Sequence, residues 1–305
     1  MVPRIDITGY HIYQPSCWIL AEGEDAHDFL QSQFSNDLKN IEVGESVYGL
    51  WLDQKGKVHG DSHILRSGEE AFHLFSYFSK SSAIIEKLSS FIVADDVELE
   101  DLTETVTSVT LVGDSLDIVK EHRLENASGV FTLGEVKAYG LPGRRGAVES
   151  KELIVESDQL DALVSFLKLD DSQSALTESQ MEAVRVFGLV PKIPFDLGPG
   201  DLPQEAGLEK DAVSFTKGCY LGQEVMSRLH SMGQVRRSLR LIESGEPLAY
   251  ESPLFVNDRK LGLIKSSIEY EDKFFALALL SNTVEKDARV LVGSSDNLQW
   301  AERVD

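Results

Sequence analysis

The densest chemistry in the chain lies in Lys217-Gly218-Cys219-Tyr220-Leu221-Gly222-Gln223-Glu224. An ammonium, a thiol, an amide and a carboxylate fall within one short run that also holds two glycines. Val225, Met226 and Leu229 follow at helical spacing, so a glycine-rich loop should turn into a helix here. A thiol near a helix start, two residues from a lysine, sits where its anionic and reactive form is favoured. The plainer reading is a tight turn in which a small cysteine packs. Glu224 and Arg228, four apart, can pair on the surface of that helix. A second array lies along Val58 to Leu65, where strand alternation puts His59, Asp61 and His63 on one face. Strand rise spaces such residues about 6.6 Å apart, which suits one metal ion poorly, so no metal is assigned. The third place is the helix end that carries Arg185 and Phe187 before Pro191.

These residues need elements to position them. Ala26, Phe29 and Leu30 mark a helical stripe, and Gly44 to Leu52 alternates as a strand does. Val58 to Leu65 and Ala71 to Phe78 read as two strands joined through Ser67-Gly68. Lys80 to Val93 places Ile84, Ile85, Leu88, Phe91 and Ile92 on one helical face. From Thr105 to Val155 the segments are short, β-branched and divided by glycine, as in an insert of strands. Ser157 is placed to cap a helix with Leu160, Leu163, Val164 and Leu167 inward. Thr177-Glu178-Ser179-Gln180 is a capping-box pattern ahead of Met181 to Val186. After Arg240 short alternating segments, with turns at Glu246-Pro247, Asn257-Asp258 and Asp296-Asn297, predict a small β-barrel.

Composition narrows the function classes. The chain has 305 residues, enough for a large core and more than one domain. No apolar run is long enough to span a membrane, and Asp6 interrupts any basic-then-apolar leader pattern. The two cysteines, Cys17 and Cys219, lie far apart and form no CxxC pair, which fits a reducing, cytoplasmic setting. Two thiols cannot hold a four-thiolate iron–sulfur cluster alone. A formal net charge of -22 argues against direct nucleic-acid binding. Arg144-Arg145 and Arg236, Arg237 and Arg240 are local basic exceptions, and pairing with the surplus carboxylates is the expectation for them.

The run from Lys217 to Glu224 resembles the signature of the YgfZ-type folate-binding family, related to the T-protein of the glycine cleavage system. That branch carries Lys-Gly-Cys-Tyr/Phe-x-Gly-Gln-Glu, and every position fits. Gly23-Glu24-Asp25-Ala26 with Phe29-Leu30-Gln31-Ser32-Gln33, Asn36-Asp37, and Leu52-Asp53-Gln54-Lys55-Gly56-Lys57-Val58 are similar to its first segments. Gly233, Val235-Arg236-Arg237, Leu261-Gly262 and Ala276-Leu277-Ala278-Leu279 extend the similarity to the C-terminus.

The resemblance implies an α+β, T-protein-like folate-binding fold of three subdomains around a central cavity. Residues 1–237 would form two interleaved α+β subdomains, and residues 238–305 a C-terminal β-barrel. It implies tetrahydrofolate in the central region, near Asp61, Arg185, Phe187, Gln204 and Tyr220, with Cys219 and Asp61 as the groups that do chemistry. Gln223 and Glu224 would support the cysteine loop. Relatives commonly carry glutamate two residues after the arginine; Phe187 stands there instead, and a phenyl ring stacks on a pterin without accepting its hydrogen bonds. The implied function is a folate-binding accessory protein in iron–sulfur cluster assembly or repair. It would support tRNA-modifying cluster enzymes indirectly, with assembly or client proteins as partners. The alternatives are a folate-dependent aminomethyltransferase or demethylase, and a non-catalytic interaction module.

Overall fold

The structure is a computed structural model that describes residues 5–122, 128–146, 148–169, 174–286, 288–294 and 297–304. The N-terminal part holds β1 (Gly9–Tyr13), β2 (Cys17–Glu22), α1 (Ala26–Gln33), β3 (Ser46–Leu52), β4 (Val58–Arg66), β5 (Ala71–Ser76), α2 (Ser81–Ser89) and β6 (Glu98–Asp101). Five of these strands make an antiparallel sheet in the order β3-β4-β5-β2-β6. Its core joins Trp51, Ile64, Phe72 and Leu74 to Ala26, Phe29 and Leu30 of α1 and to Ile84 and Leu88 of α2. β4 is interior to this sheet and packed on both sides, so nearly all of its side chains are buried. α2 stops at Ser89, short of the expected Val93, and Phe91 and Val93 are exposed.

The second sheet uses β7 (Val106–Val112), β8 (Gly129–Leu133), β9 (Val136–Pro142) and β10 (Ser150–Glu156), with α3 (Asp117–Glu121) and α4 (Leu160–Phe166) beside it. Its order is β1-β7-β10-β9-β8, so the first strand of the chain completes a sheet whose other strands come about a hundred residues later. Val109, Leu111, Leu153, Val155 and Leu163 form its core. Ser157 does not cap α4; its hydroxyl meets Thr107 Oγ1 at 2.9 Å, and a short 3-10 turn precedes the helix.

α5 (Glu178–Phe187) opens on the expected capping box, with Thr177 Oγ1 accepting from Gln180 N–H and Gln180 Oε1 accepting from Thr177 N–H. α6 (Gln223–Met232) follows the cysteine loop. The chain ends in β11 (Arg237–Ser244), β12 (Pro253–Val256), β13 (Arg259–Tyr270), β14 (Lys273–Ser281), β15 (Arg289–Ser294) and β16 (Asn297–Arg303). These close into a barrel in the order β11-β14-β13-β12-β15-β16, which leaves no strand edge open. Both Asn257 and Asp258 have positive φ, 50° and 61°, as a two-residue hairpin turn needs. Of the turn expected at Asp296-Asn297, Asp296 lies outside the described residues. Along β14, Ala276, Ala278 and Leu280 fill the barrel, whereas Phe275, Leu277 and Leu279 pack outward on Leu50, Phe187 and Met226. One alternating run thereby serves two cores.

Candidate functional site

β4 delivers Asp61 into the interior, 7% exposed. Its Oδ1 accepts from the hydroxyls of Ser79 (2.6 Å) and Ser76 (2.8 Å), and its Oδ2 accepts from Tyr48 (3.0 Å). Burial pushes the Asp61 carboxyl above the usual carboxylate range, against the pull of these three hydroxyls. The histidines on either side have different surroundings. His59 is exposed and its Nε2 lies 3.5 Å from Asp53. His63 is buried beside Tyr48, and neither ring nitrogen has a hydrogen-bond partner. Burial holds the His63 imidazole down to about 3, so it is neutral near neutral pH. The three side chains do not converge, and among the described residues no group of three or more His, Cys, Asp or Glu is arranged to hold a metal ion.

Ser76 and Ser79 flank Tyr77 and Phe78, which line a cavity of about 390 Å³. The cavity lies where the second sheet, the first sheet and α5 meet; its walls include Tyr13, Arg144, Arg145, Glu182 and Arg185. Behind it lies a charged network centred on the fully buried Glu152. Glu152 Oε2 accepts from the hydroxyls of Tyr13 and Thr110, both at 2.8 Å, and Oε1 accepts from Tyr77 at 2.9 Å and from Arg145 Nε at 3.2 Å. The Arg145 guanidinium sits 4.3 and 4.2 Å from the ring centroids of Tyr13 and Tyr77. A buried ion pair survives only when its other groups are met; here the hydroxyls meet the Glu152 oxygens, and Thr110 Oγ1 also accepts from Arg145 Nη2 at 3.1 Å. Arg144 reaches the other way: its guanidinium lies 4.0 Å from the Tyr48 ring and pairs with Asp211 at 2.5 Å. The expected pairing of Arg144, Arg145 and Arg237 with carboxylates is present in each case.

On α5, Arg185 and Phe187 prove structural in their contacts. All five guanidinium N–H groups of Arg185 are used: on Glu182 twice, on the Val190 carbonyl, on Asp196 and on Ser266. The side chain thus ties the helix to the following loop and to the barrel, with no donor left over for a ligand. Phe187 turns toward the barrel, edge-on to Tyr270 (5.3 Å) and Phe275 (4.9 Å). It is a core residue and does not line the cavity beside Arg185, which corrects the expectation of a stacking platform.

The cysteine loop contributes no residue to the wall of that cavity. Cys219 is exposed, three residues ahead of the Gly222 N-cap, so the thiol stands outside the helix. Lys217 is buried, and its ammonium donates to the carbonyls of Gln31 (2.6 Å), Phe34 (2.7 Å) and Asn36 (2.8 Å) at the end of α1. The lysine therefore anchors the loop and satisfies a helix C-terminus instead of attending the thiol. Burial pulls its pKa down to about 8. Gly222 has φ +89°, and a Cβ there would meet the Asp53 carbonyl at 2.7 Å. Gly56, in that same β3–β4 turn, faces Met226 of α6. Two separated sequence signatures are thus packed together.

Gln223 Nε2 donates to the Lys217 carbonyl at 3.3 Å, as a support for the loop should. Glu224 is exposed, and among the described residues no ion pair joins it to Arg228. Tyr220 is buried under the Lys217 ammonium, with its hydroxyl unpaired and its pKa raised by burial to about 12. Gln204 donates to Met226 Sδ at 3.4 Å and lines a separate cavity of about 370 Å³ with Leu229, His230 and Asn282. The residues expected around one cofactor therefore divide between two places.

The fold has counterparts among known proteins. Residues 17–136 match the GCVT N-terminal domain family. The tRNA-modifying protein YgfZ of Aliivibrio fischeri (strain MJ11) is 25% identical over 280 residues, 88% of this chain and 83% of that protein. The YgfZ of Photobacterium profundum is 22% identical over 293 residues, covering 92% and 85%. The chain is similar to the YgfZ proteins along most of its length. The crystal structure of glycine cleavage system aminomethyltransferase T from Bartonella henselae superposes with a TM-score of 0.80, at 15% identity, over 98% of this chain and 86% of that one. The T-protein-like fold expected from the signature is the fold observed.

Within that fold, several residues around the cavity were not singled out beforehand: Tyr13, Tyr48, Tyr77, Ser76, Ser79 and Glu152. Glu152 carried little signal, since it follows Glu149-Ser150-Lys151 and only borders the apolar run Leu153-Ile154-Val155, so it reads as a polar strand start. The tyrosines carried none, because an aromatic at an alternating position reads equally well as core.

Proposed function

We propose that the chain is a folate-binding accessory factor for tRNA modification, acting in the cytoplasm through iron–sulfur client or assembly proteins. The observation that carries this reading is the cavity between the two sheets and α5, with its mixture of rings and cations. Tetrahydrofolate joins a flat polar ring, an aromatic linker and an anionic tail. Tyr77, Phe78 and Tyr13 supply aromatic faces for the first two, and Arg144, Arg145 and Lys192 bring positive charge for the last. Glu182 is the partly buried carboxylate on the wall, so an acceptor is present although position 187 holds phenylalanine. The residues fit the group.

When bound, tetrahydrofolate supplies a nitrogen that carries or accepts a one-carbon unit. The chain's own residues set the stage for it. Asp61 fixes the Ser76–Ser79 turn through two hydroxyls, which holds Tyr77 and Phe78 at the wall. The Glu152–Arg145 pair locks Tyr13 and Tyr77 from behind. Cys219 presents an exposed thiol, accessible to a partner. Cys17 is buried in the first sheet's core, where burial pushes its thiol well up, and it is no candidate for exchange.

Support for the tRNA link comes from the names of the similar proteins, and the charge of -22 argues for an indirect route. The test is replacement of Cys219 by alanine in cells, with tRNA modifications made by iron–sulfur enzymes as the readout. The expected outcome is a loss of those modifications to the level of cells lacking the protein, with an unchanged Tm. Full modification in the variant would sink the thiol's role.

A further inference from the structure

A second cavity, of about 600 Å³, lies between α2, the hairpin end of β3 and β4, and the Pro194-Phe195 segment. That volume is in the range that holds a small organic ligand. The strand beneath it explains the space. On one side of β4, Ile64 fills the core under α1 and α2, and Ser62 Oγ accepts from Trp51 Nε1 at 2.9 Å. Gly60 comes next on that side and brings no side chain, so the packing stops and the cavity begins. Trp51, Phe78 and Phe195 give the wall its rings, and Phe195 is 49% exposed. Phe78 is the one residue that this wall shares with the central cavity.

The charges on this wall are unlike those of the central cavity. There Arg144, Arg145, Arg185 and Lys192 each pair with a carboxylate. Here Lys80 and Lys87, about two turns apart on the cavity side of α2, pair with none among the described residues. Lys87 is half-buried, and one of its three N–H groups goes to the Leu52 carbonyl at 2.7 Å. Burial pulls its ammonium below the ordinary lysine range, with a smaller opposing pull from Asp53. Glu86, the one carboxylate on the wall, is exposed and pairs with neither lysine, and His59 faces Asp53 at 3.5 Å. A half-buried cation set among rings without a counter-ion calls for an anion. We propose that this cavity binds a small aromatic acid, its ring against Trp51, Phe78 and Phe195 and its anionic group on Lys87 and Lys80. The site stands apart from the folate reading and neither needs nor supports it.

The test is fluorescence titration of anilinonaphthalene sulfonate, an aromatic acid that brightens in apolar surroundings, into the folded wild type, Lys87→Gln and Ala83→Trp, with Tm measured alongside. The wild type should bind the dye saturably. Lys87→Gln keeps a donor for the Leu52 carbonyl and removes the charge, so affinity should fall about fivefold or more. Ala83 is exposed on the cavity wall, so a tryptophan there costs the fold little while it occupies the space. Its affinity should fall by at least as much. Both variants should keep the wild-type Tm, and either one carries the test if the other does not fold. No saturable binding by the wild type would overturn the assignment. A smaller fall in either folded variant would overturn it too, because the dye would then sit elsewhere or be held without the cation.

Discussion

At the scale of residues, burial decides what the histidines and acids of β4 and β5 can do. His63 and His73 are held neutral by desolvation, to about 3 and about 4, against an ordinary 6.5. A histidine whose folded pKa is depressed takes up its proton in the unfolded chain first. Stability should therefore fall as pH drops below 6.5, each residue costing about 2 kcal/mol near pH 5. Denaturant midpoints at neutral and mildly acidic pH check this, and His63→Leu should remove roughly half of the acid sensitivity. An unchanged slope in that variant would contradict the burial account. Asp61 and Cys219 were legible as candidates from residue type and signature. Their surroundings were not, because strand alternation places His59, Asp61 and His63 on one face without saying that only the last two are buried. Phe187 and Arg185 show the same gap. The sequence reading placed both beside a ligand, whereas the packing of α5 on the barrel, through Tyr270, Phe275 and Ser266, claims both.

At the scale of elements, the cysteine loop is held by contacts that the local pattern foreshadowed only in part. The turn into α6 and its start at Gln223 follow from the glycines and the helical spacing. The partner of that turn is the Asp53–Gly56 hairpin, far away in sequence, and only the fold reveals it. Gly222→Ala must place a Cβ 2.7 Å from the Asp53 carbonyl in a left-handed conformation. The variant should lose about 2 kcal/mol or more by denaturant unfolding and should carry a displaced cysteine loop. Wild-type stability would contradict the packing described. The capping box at Thr177 was legible in full because all of its partners are local. The short α2 was not: the helix ends at Ser89, and Ile92 packs on the first core from the segment beyond it, so the apolar pattern outlasts the helix.

At the scale of the whole molecule, two sheets and a barrel are tied together by shared apolar packing and by a few polar joints. β1 completes the second sheet from the opposite end of the chain's first half, a pairing that no local pattern announces. Arg185 joins α5 to Asp196 and to Ser266 of the barrel. Arg185→Met leaves the buried Asp196 carboxylate without its cation, so unfolding should cost about 3–5 kcal/mol less than in the wild type. A loss near zero would mean that the joint is dispensable. The barrel itself was legible because short alternating strands with clear turns have few other ways to close. The cavity was not, since its walls come from β1, the segment after β5, the β9–β10 loop and α5 together. On its ability to take a folate the functional account stands. The direct measurement is calorimetric titration of tetrahydrofolate into the purified protein, free of oxygen. Saturable micromolar binding, preserved in Cys219→Ala because Cys219 is not part of the cavity wall, is the predicted result; absence of saturable binding in the wild type would contradict it.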